Sequence, residues 1–281
     1  MSLVHELFTK SPQLSEEQWS QYFRDGYIRL GKVLDDEELR QLQERIDAIM
    51  LGEADVDYEQ MMMQLDSDTG AYGAAGAQTK GHKGATLNYR KIEQLEFDPL
   101  FLAFMQKPLF REVCARVYGG HTDISSFRAM FMNKPADKGT LLPWHQDRWN
   151  FLDRDPLITV WTALDPATKE NGCVQIIRGS HAWGVINPGH GSGFLSEEQA
   201  EKFAPQEEVI YCELKPGEAV LLHNWLLHSS DKSHSSQSRR AFSVCYMDAR
   251  TRRTDSGAEI GSRIFGEGAL DADQLAPPVA A

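Results

Sequence analysis

The sequence predicts a mainly β fold: a double-stranded β-helix (a cupin-like jelly roll) with N-terminal helices packed on one of its sheets. Two observations predict it. Helical periodicity is confined to the first 120 or so residues, and from residue 122 onwards the apolar pattern takes the period of strands. Helices gathered upstream of many short strands suggest two stacked sheets with a helical layer on one of them. No internal repeat and no linker composition interrupts the chain. It is therefore expected to form one domain over 1–281, with a helical part about 1–120, a jelly-roll core about 121–250 and an irregular tail 251–281.

The elements follow in order. Ser15-Glu16-Glu17-Gln18 is a capping-box pattern that opens a short helix towards Arg24, and Gly26 breaks it before a brief strand at Tyr27–Leu30. Asp35-Asp36-Glu37-Glu38 caps a longer helix in which Leu39, Leu42, Ile46, Ile49 and Met50 form one stripe, so this helix should lie flat on a sheet. Residues 52–88 contain the glycine-rich stretches Tyr72–Ala77 and Lys80–Gly84 and are expected to form a long loop. The Met61-Met62-Met63 run within it is read as helix core or a hydrophobic lid. Asp98-Pro99 starts one helix, and Pro108 starts another that ends at Gly119-Gly120. Strands are expected at Ile124–Asn133, Leu157–Leu164, Cys173–Ile177, Glu208–Leu214, Glu218–Leu222 and Ala241–Asp248, separated by turn clusters such as Lys215-Pro216-Gly217. From Thr251 the periodicity lapses, and the tail is expected to be partly ordered at best.

Composition narrows the function classes. An apolar fraction of 41% and a charged fraction of 25% over 281 residues suffice for a core without staples. No run approaches the ~20 apolar residues that span a bilayer. The first ten residues show no basic region followed by an apolar one, so a cytoplasmic protein is expected. A net charge of −12 argues against a nucleic-acid surface. The four cysteines, Cys114, Cys173, Cys212 and Cys245, form no CxxC pair and are read as reduced core residues.

The chemistry-bearing signal begins at Trp144-His145-Gln146-Asp147. On an extended segment residues i and i+2 face the same way, so His145 and Asp147 can reach one point. An imidazole and a carboxylate form a mixed nitrogen–oxygen pair suited to a borderline divalent metal, although an isolated HxD recurs often by chance. About eighty residues downstream, the run Glu218–Ser230 holds further imidazoles, His223 and His228, beside an apolar strand, and Arg239-Arg240 follows a hairpin away. Two histidines and one carboxylate occupy one face of an octahedral metal and leave three positions open, as Fe(II) oxygen chemistry requires. A nearby arginine supplies a two-pronged clamp for a carboxylate-bearing cosubstrate.

With these motifs, and with Glu170-Asn171-Gly172-Cys173-Val174-Gln175-Ile176-Ile177-Arg178-Gly179-Ser180-His181 between them, the chain resembles the phytanoyl-CoA dioxygenase family of Fe(II)/2-oxoglutarate oxygenases from roughly Tyr27 to Asp248. In that family the distal histidine precedes the cosubstrate arginine by eleven residues, a spacing that His228 and Arg239 meet and His223 does not. The resemblance therefore implies His145, Asp147 and His228 as iron ligands and Arg239 as the partner of the 2-oxoglutarate C5 carboxylate. It further implies Ser230 as a hydroxyl on that carboxylate, Trp161 as an aromatic wall of the cosubstrate site, and Lys91 as a cation near it. The reaction implied consumes Fe(II)-bound 2-oxoglutarate and O2 and oxidises a small molecule, with release of succinate and CO2. Arg178 stands where family members commonly have proline, a departure confined to the local turn. Halogenating relatives replace the carboxylate ligand with a small residue; Asp147 is intact, which favours hydroxylation or another oxidation.

Other residues carry blander readings. His223 is expected to be a satisfied core histidine or a support behind the ligands, and His181 a turn residue, while His82, His121, His190 and His234 have no argument behind them. Arg240 should face away from Arg239 unless the register slips by one. Arg128, Met130 and Met132 alternate on one strand and should share a face, with the methionines filling core and Arg128 meeting either an anionic group or a rim carboxylate. Arg148 and Trp149 are placed at the cavity mouth. The 70–84 and 148–155 loops are expected to shape specificity and to be mobile without ligand. A cupin-like metalloprotein without cosubstrate, or a non-catalytic small-molecule binder, would be the competing functions; the first would hold more histidines and no committed arginine. A CoA ester is one substrate candidate among several, and the oligomeric state is left open.

Overall fold

The computed structural model describes residues 14–275; the first ten residues, on which the leader expectation rests, and the closing Pro277–Ala281 lie outside the described residues. Ser15 caps helix α1 (Glu16–Asp25) by a reciprocal box in which its side chain accepts from the Gln18 backbone and the Gln18 side chain accepts from its own. Gly26, at φ 80, then turns the chain into β1 (Tyr27–Lys32), and a Cβ there would run into the His181 ring. Asp35 and Glu38 form the same box for α2 (Asp36–Leu51), and Pro99 and Pro108 open α3 (Pro99–Met105) and α4 (Pro108–Tyr118).

These helices cover the outer face of a nine-stranded antiparallel sheet. Its order is β1, β10 (Glu218–His223), β7 (Ile158–Ala163), β12 (Arg239–Asp248), β5 (Ile124–Lys134), β4 (Tyr89–Glu93), β2 (Met62–Leu65) and β3 (Thr79–Lys80), with β13 (Ser262–Phe265) also on β5. The inner face meets a four-stranded sheet ordered β6 (Leu142–His145), β11 (His228–Ser230), β8 (Val174–Ile177) and β9 (Val209–Cys212). Period-two alternation divides the side chains between two cores. Val160, Leu221, Phe242 and Val244 pack against Leu42, Ile46, Phe101 and Phe104 of the helices. Trp161, Val220 and Ala241 pack against Val174, Ile176 and Cys212 of the small sheet. Both faces of β7 are thus covered, which explains why all six of its residues are buried.

The six expected strands lie within two residues of the observed bounds at each end. Three expectations need correction. Residues 52–88 are not one loop: β2 and β3 form there and, with β4 just beyond, extend the large sheet, and Met63 pairs with Ile92 in the core, so the methionine run leads into a strand and is neither helix nor lid. Its strands are two to five residues long, too short for alternation to declare itself without the partner. The tail is ordered as far as residue 275: Ser262 pairs with Ser126, Ile264, Phe265 and Ala272 are buried, and α6 (Ala272–Leu275) follows. Helix α5 (Glu197–Phe203) went unread, although Ser196 and Gln199 form a third capping box. All four cysteines are buried and unpaired with one another, and among the described residues no helix is long and apolar enough to cross a membrane.

Candidate active site

Strand register assembles the centre. In the antiparallel pairing of β6 with β11, His145 lies directly opposite His228, which leaves the two imidazoles 4.1 Å apart by ring centroid. Two residues beyond His145, Asp147 donates its backbone N–H to the Asn224 carbonyl at 2.7 Å, and this contact turns its carboxylate back towards both rings. Asp147 Oδ1 lies 3.8 Å from His145 Nε2, and Oδ2 lies 3.8 Å from His228 Nε2. One donor atom from each of the three falls within 4.8 Å of the others.

The tautomers are set from outside the cluster. His145 Nδ1 sits 2.8 Å from the Pro143 carbonyl and His228 Nδ1 2.8 Å from the Leu226 carbonyl. A carbonyl only accepts, so each Nδ1 carries the hydrogen and each Nε2 turns its lone pair to the shared point. Burial, helped by the neighbouring His228, pushes His145 down to about 3, so the ring is neutral at physiological pH. Burial alone would raise the Asp147 carboxyl, but His228, His145, Arg128 and Lys91 outweigh it and hold it below the usual range. Two imidazole nitrogen donors and one carboxylate oxygen, fixed at one point, fit a borderline divalent metal such as Fe(II).

Gln146, between the two ligand candidates, points the other way and pins the segment. Its amide donates to the Gly184 and Trp225 carbonyls at 2.9 and 2.8 Å and accepts from the Ile186 N–H at 2.9 Å. Behind it, Gly193 (φ 73) presses its backbone on that of Gln146, where any side chain would collide.

At the start of β12, Arg239 is 2% exposed and lies 5.2 Å above the Trp161 ring. Its Nε has no hydrogen-bond partner among the described residues, no carboxylate pairs with it, and burial pushes it down to about 10. A buried guanidinium in this condition is costly until an anion arrives. Ser230 and Lys91 line the same space, together with Arg90 and Lys134. Burial, reinforced by Arg128 and Arg90, pushes Lys91 down to about 8. Arg240 faces the opposite way and bonds Asp165 and Asp47 at 2.9 and 2.6 Å, so the register does not slip.

A cavity of about 160 Å³ joins these groups and takes in Arg128, Met130 and Met132 from β5. His223 borders it but stands apart from the three converging groups: its Nδ1 accepts from the Trp225 N–H at 3.0 Å, its ring lies 5.0 Å from His181, and burial pushes it down to about 4. His181 is bound to the Phe23 carbonyl at 3.2 Å. Trp149 lines the cavity, but Arg148 does not; it reaches towards Asp155 at 3.9 Å, which corrects its placement at the mouth. Sequence reasoning missed Phe194, which stacks on His145 at 4.7 Å with its plane 14° away, while Tyr72, from the 70–84 loop expected to shape specificity, lies 5.3 Å from Phe194. The turn cluster Asn187-Pro188-Gly189-His190-Gly191-Ser192-Gly193 was the available signal for Phe194.

Comparison with known proteins bears on this centre. A family model described as phytanoyl-CoA dioxygenase (PhyH) matches residues 22–241. A probable phytanoyl-CoA dioxygenase of Caenorhabditis elegans is 27% identical over 247 residues, covering 83% of this chain and 75% of the relative. A phytanoyl-CoA dioxygenase of Arabidopsis thaliana is 23% identical, covering 82% and 88%. Among solved structures, EctD from S. alaskensis with bound Fe superposes with a TM-score of 0.65 at 19% identity, covering 88% of this chain and 83% of its own. SnoK, a non-haem α-ketoglutarate-dependent carbocyclase from nogalamycin biosynthesis, gives 0.65 at 16%, covering 91% and 98%. At these identities the structural likeness speaks for the fold.

Proposed function

The chain belongs to the phytanoyl-CoA dioxygenase family, and on that premise we propose that it is an Fe(II)- and 2-oxoglutarate-dependent oxygenase of a small organic molecule, with His145, Asp147 and His228 holding the metal. The observation that carries this reading is the joint one: three metal-donor atoms converge in the same cavity as Arg239, a buried cation with which no carboxylate among the described residues pairs. A metalloprotein working without a carboxylate cosubstrate would have no use for that second feature.

When bound, iron and 2-oxoglutarate supply the oxidising chemistry, with O2 consumed and succinate and CO2 released. The chain's own residues do the rest. Arg239 offers a two-pronged clamp to the C5 carboxylate, Ser230 adds a hydroxyl and Lys91 a second positive charge. Trp161 backs the guanidinium and fixes its plane. His145, Asp147 and His228 would hold the metal through two imidazole nitrogens and one carboxylate oxygen, a donor set suited to Fe(II) oxygen chemistry. Met130, Met132 and Phe194 line the cavity with apolar surface that keeps bulk water from the reacting atoms. The reaction is hydroxylation or a related oxidation of a C–H bond, since Asp147 keeps the carboxylate.

The test is anaerobic reconstitution with Fe(II) and 2-oxoglutarate. A weak visible charge-transfer band is expected in the wild type, lost in Asp147→Ala and reduced by at least about tenfold in apparent 2-oxoglutarate affinity in Arg239→Ala, as for loss of one charge-assisted pair. Folded wild-type protein that shows no band would refute the oxygenase reading. A band without any turnover of 2-oxoglutarate would leave a binder on the same scaffold.

A further inference from the structure

We propose that Arg128 is the substrate-recognition residue, and that the substrate is a small amphipathic carboxylate held by its carboxyl group on Arg128 with an apolar body against Trp149 and Phe194. This deepens the oxygenase reading and rests on it. The first support is position. Arg128 shares the inward face of β5 with Met130 and Met132 and lines the cavity. On the β5–β12 ladder it pairs with Cys245, whereas Arg239 pairs with Lys134. The six steps between Arg239 and Cys245 amount to roughly 20 Å of strand at ~3.3 Å each. The two arginines therefore enter the cavity from opposite ends, and a five-carbon diacid anchored on Arg239 leaves Arg128 to a second anion.

The second support is the condition of the side chain. The Arg128 guanidinium lies 4.4 Å above the Trp149 ring and 5.5 Å from that of Phe127. Stacking holds its plane and leaves its N–H edges free for a planar oxyanion. Among the described residues no carboxylate forms an ion pair with it and no acceptor is hydrogen-bonded to it; Asp147 feels its charge without pairing. A rim salt bridge, the blander reading of this residue, is not there.

The third support is charge balance. Lys91, Arg128 and Arg239 line the cavity against the single carboxylate of Asp147. Three fixed cations and a divalent metal, set against one carboxylate and a cosubstrate dianion, leave an excess of about two positive charges in a low-dielectric space. An anionic substrate relieves that excess and a neutral one does not. The chain as a whole carries −12, so the positive cavity is a local arrangement and not a reflection of overall composition. Its volume of about 160 Å³ suits a small molecule, with the wall near Arg128 built of Met130, Trp149 and Phe194.

The experiment uses full-length protein loaded anaerobically with Fe(II) and saturating 2-oxoglutarate. Short and medium-chain aliphatic and aromatic carboxylic acids are each added beside the corresponding primary amide, and perturbation of the charge-transfer band is read, followed by succinate release in air. Acids are expected to perturb the band and stimulate succinate release where their amides do not. In Arg128→Met the band is expected to persist, while the KM for any stimulating acid rises by about tenfold or more with a smaller change in kcat, and Arg128→Lys recovers part of that loss. Equal response to acids and amides in the wild type overturns the proposal. So does loss of the band in both Arg128 variants, which would place Arg128 on the cosubstrate. Absence of a band in the wild type refutes the oxygenase reading itself, a result distinct from either.

Discussion

Glu96 shows what a single residue's surroundings can do to its chemistry. Its side chain is buried, with one oxygen accepting from Ser262 at 3.0 Å and the other without a partner among the described residues. Burial, only partly offset by these bonds, raises its carboxyl from the ordinary 4.5 to about 7. The folded state therefore binds a proton that the unfolded chain has already released. That contribution to stability is full below about 4.5 and is lost as the pH rises through about 7. Denaturant unfolding should show the protein gaining on the order of 2–3 kcal/mol from this group between pH 8 and pH 5, at about 1.4 kcal/mol per unit. Glu96→Gln should remove that slope; an unchanged slope in the variant would place its origin elsewhere. His145 and His228 depend on their surroundings in another way, since two backbone carbonyls select the tautomer that makes them metal donors. The i, i+2 relation of His145 and Asp147 could be read from the sequence. The contacts that aim them, Gln146 to Gly184 and Trp225 and Asp147 to Asn224, join residues 38 to 79 positions apart and could not.

At the scale of elements, the clearest contrast lies between the helices and the late strands. Helices α1 to α4 were legible because their caps and apolar stripes are complete within a dozen residues or so. Strand β13 was not, because four residues beside a bulge carry no periodicity of their own and acquire a role only against Ile124–Ser126. Its contribution is nonetheless substantial. Ile264 and Phe265 are buried against the helical side of the large sheet, and Gln106 donates to the Ile264 and Leu270 carbonyls at 3.1 and 2.7 Å. Ending the chain after Gly261 should therefore lower unfolding free energy by several kcal/mol, the order expected for two emptied core positions. A truncated protein as stable as the full chain in a denaturant titration would return the tail to the irregular segment its composition suggests. The strands of the small sheet teach the same lesson for function: β6 and β11 are four and three residues long, and their register is what sets His228, and not His223, opposite His145.

For the whole molecule, the largest core takes residues from Leu14 to Ala272, so the helical and jelly-roll parts bury one another. We propose on this ground that they unfold together as one domain. Far-ultraviolet circular dichroism and tryptophan emission should then trace a single coincident transition on heating. Two separated transitions would assign the helical part its own stability. At this scale too the charge is uneven, with an acidic exterior around a cavity that holds three cations and one acid. Composition alone argued only against a nucleic-acid surface; the register that turns Lys91, Arg128 and Arg239 inward points towards a small anionic ligand.

The sequence by itself determined whatever is settled within a few residues: the capping boxes, the turns, the alternation that marks the long buried strands, and the HxD whose two ends share a face. It also determined the family, through motifs whose order and spacing survive without any knowledge of contacts. The tertiary structure alone decided that Phe194 and Tyr72 wall the cavity, that the tail completes the large sheet, and that Arg128 and Arg239 meet no carboxylate among the described residues. The physical reason is the range of the interactions. Helix caps and turns are satisfied by neighbours along the chain, whereas strand register, burial and the absence of a counter-ion depend on segments far away along the chain.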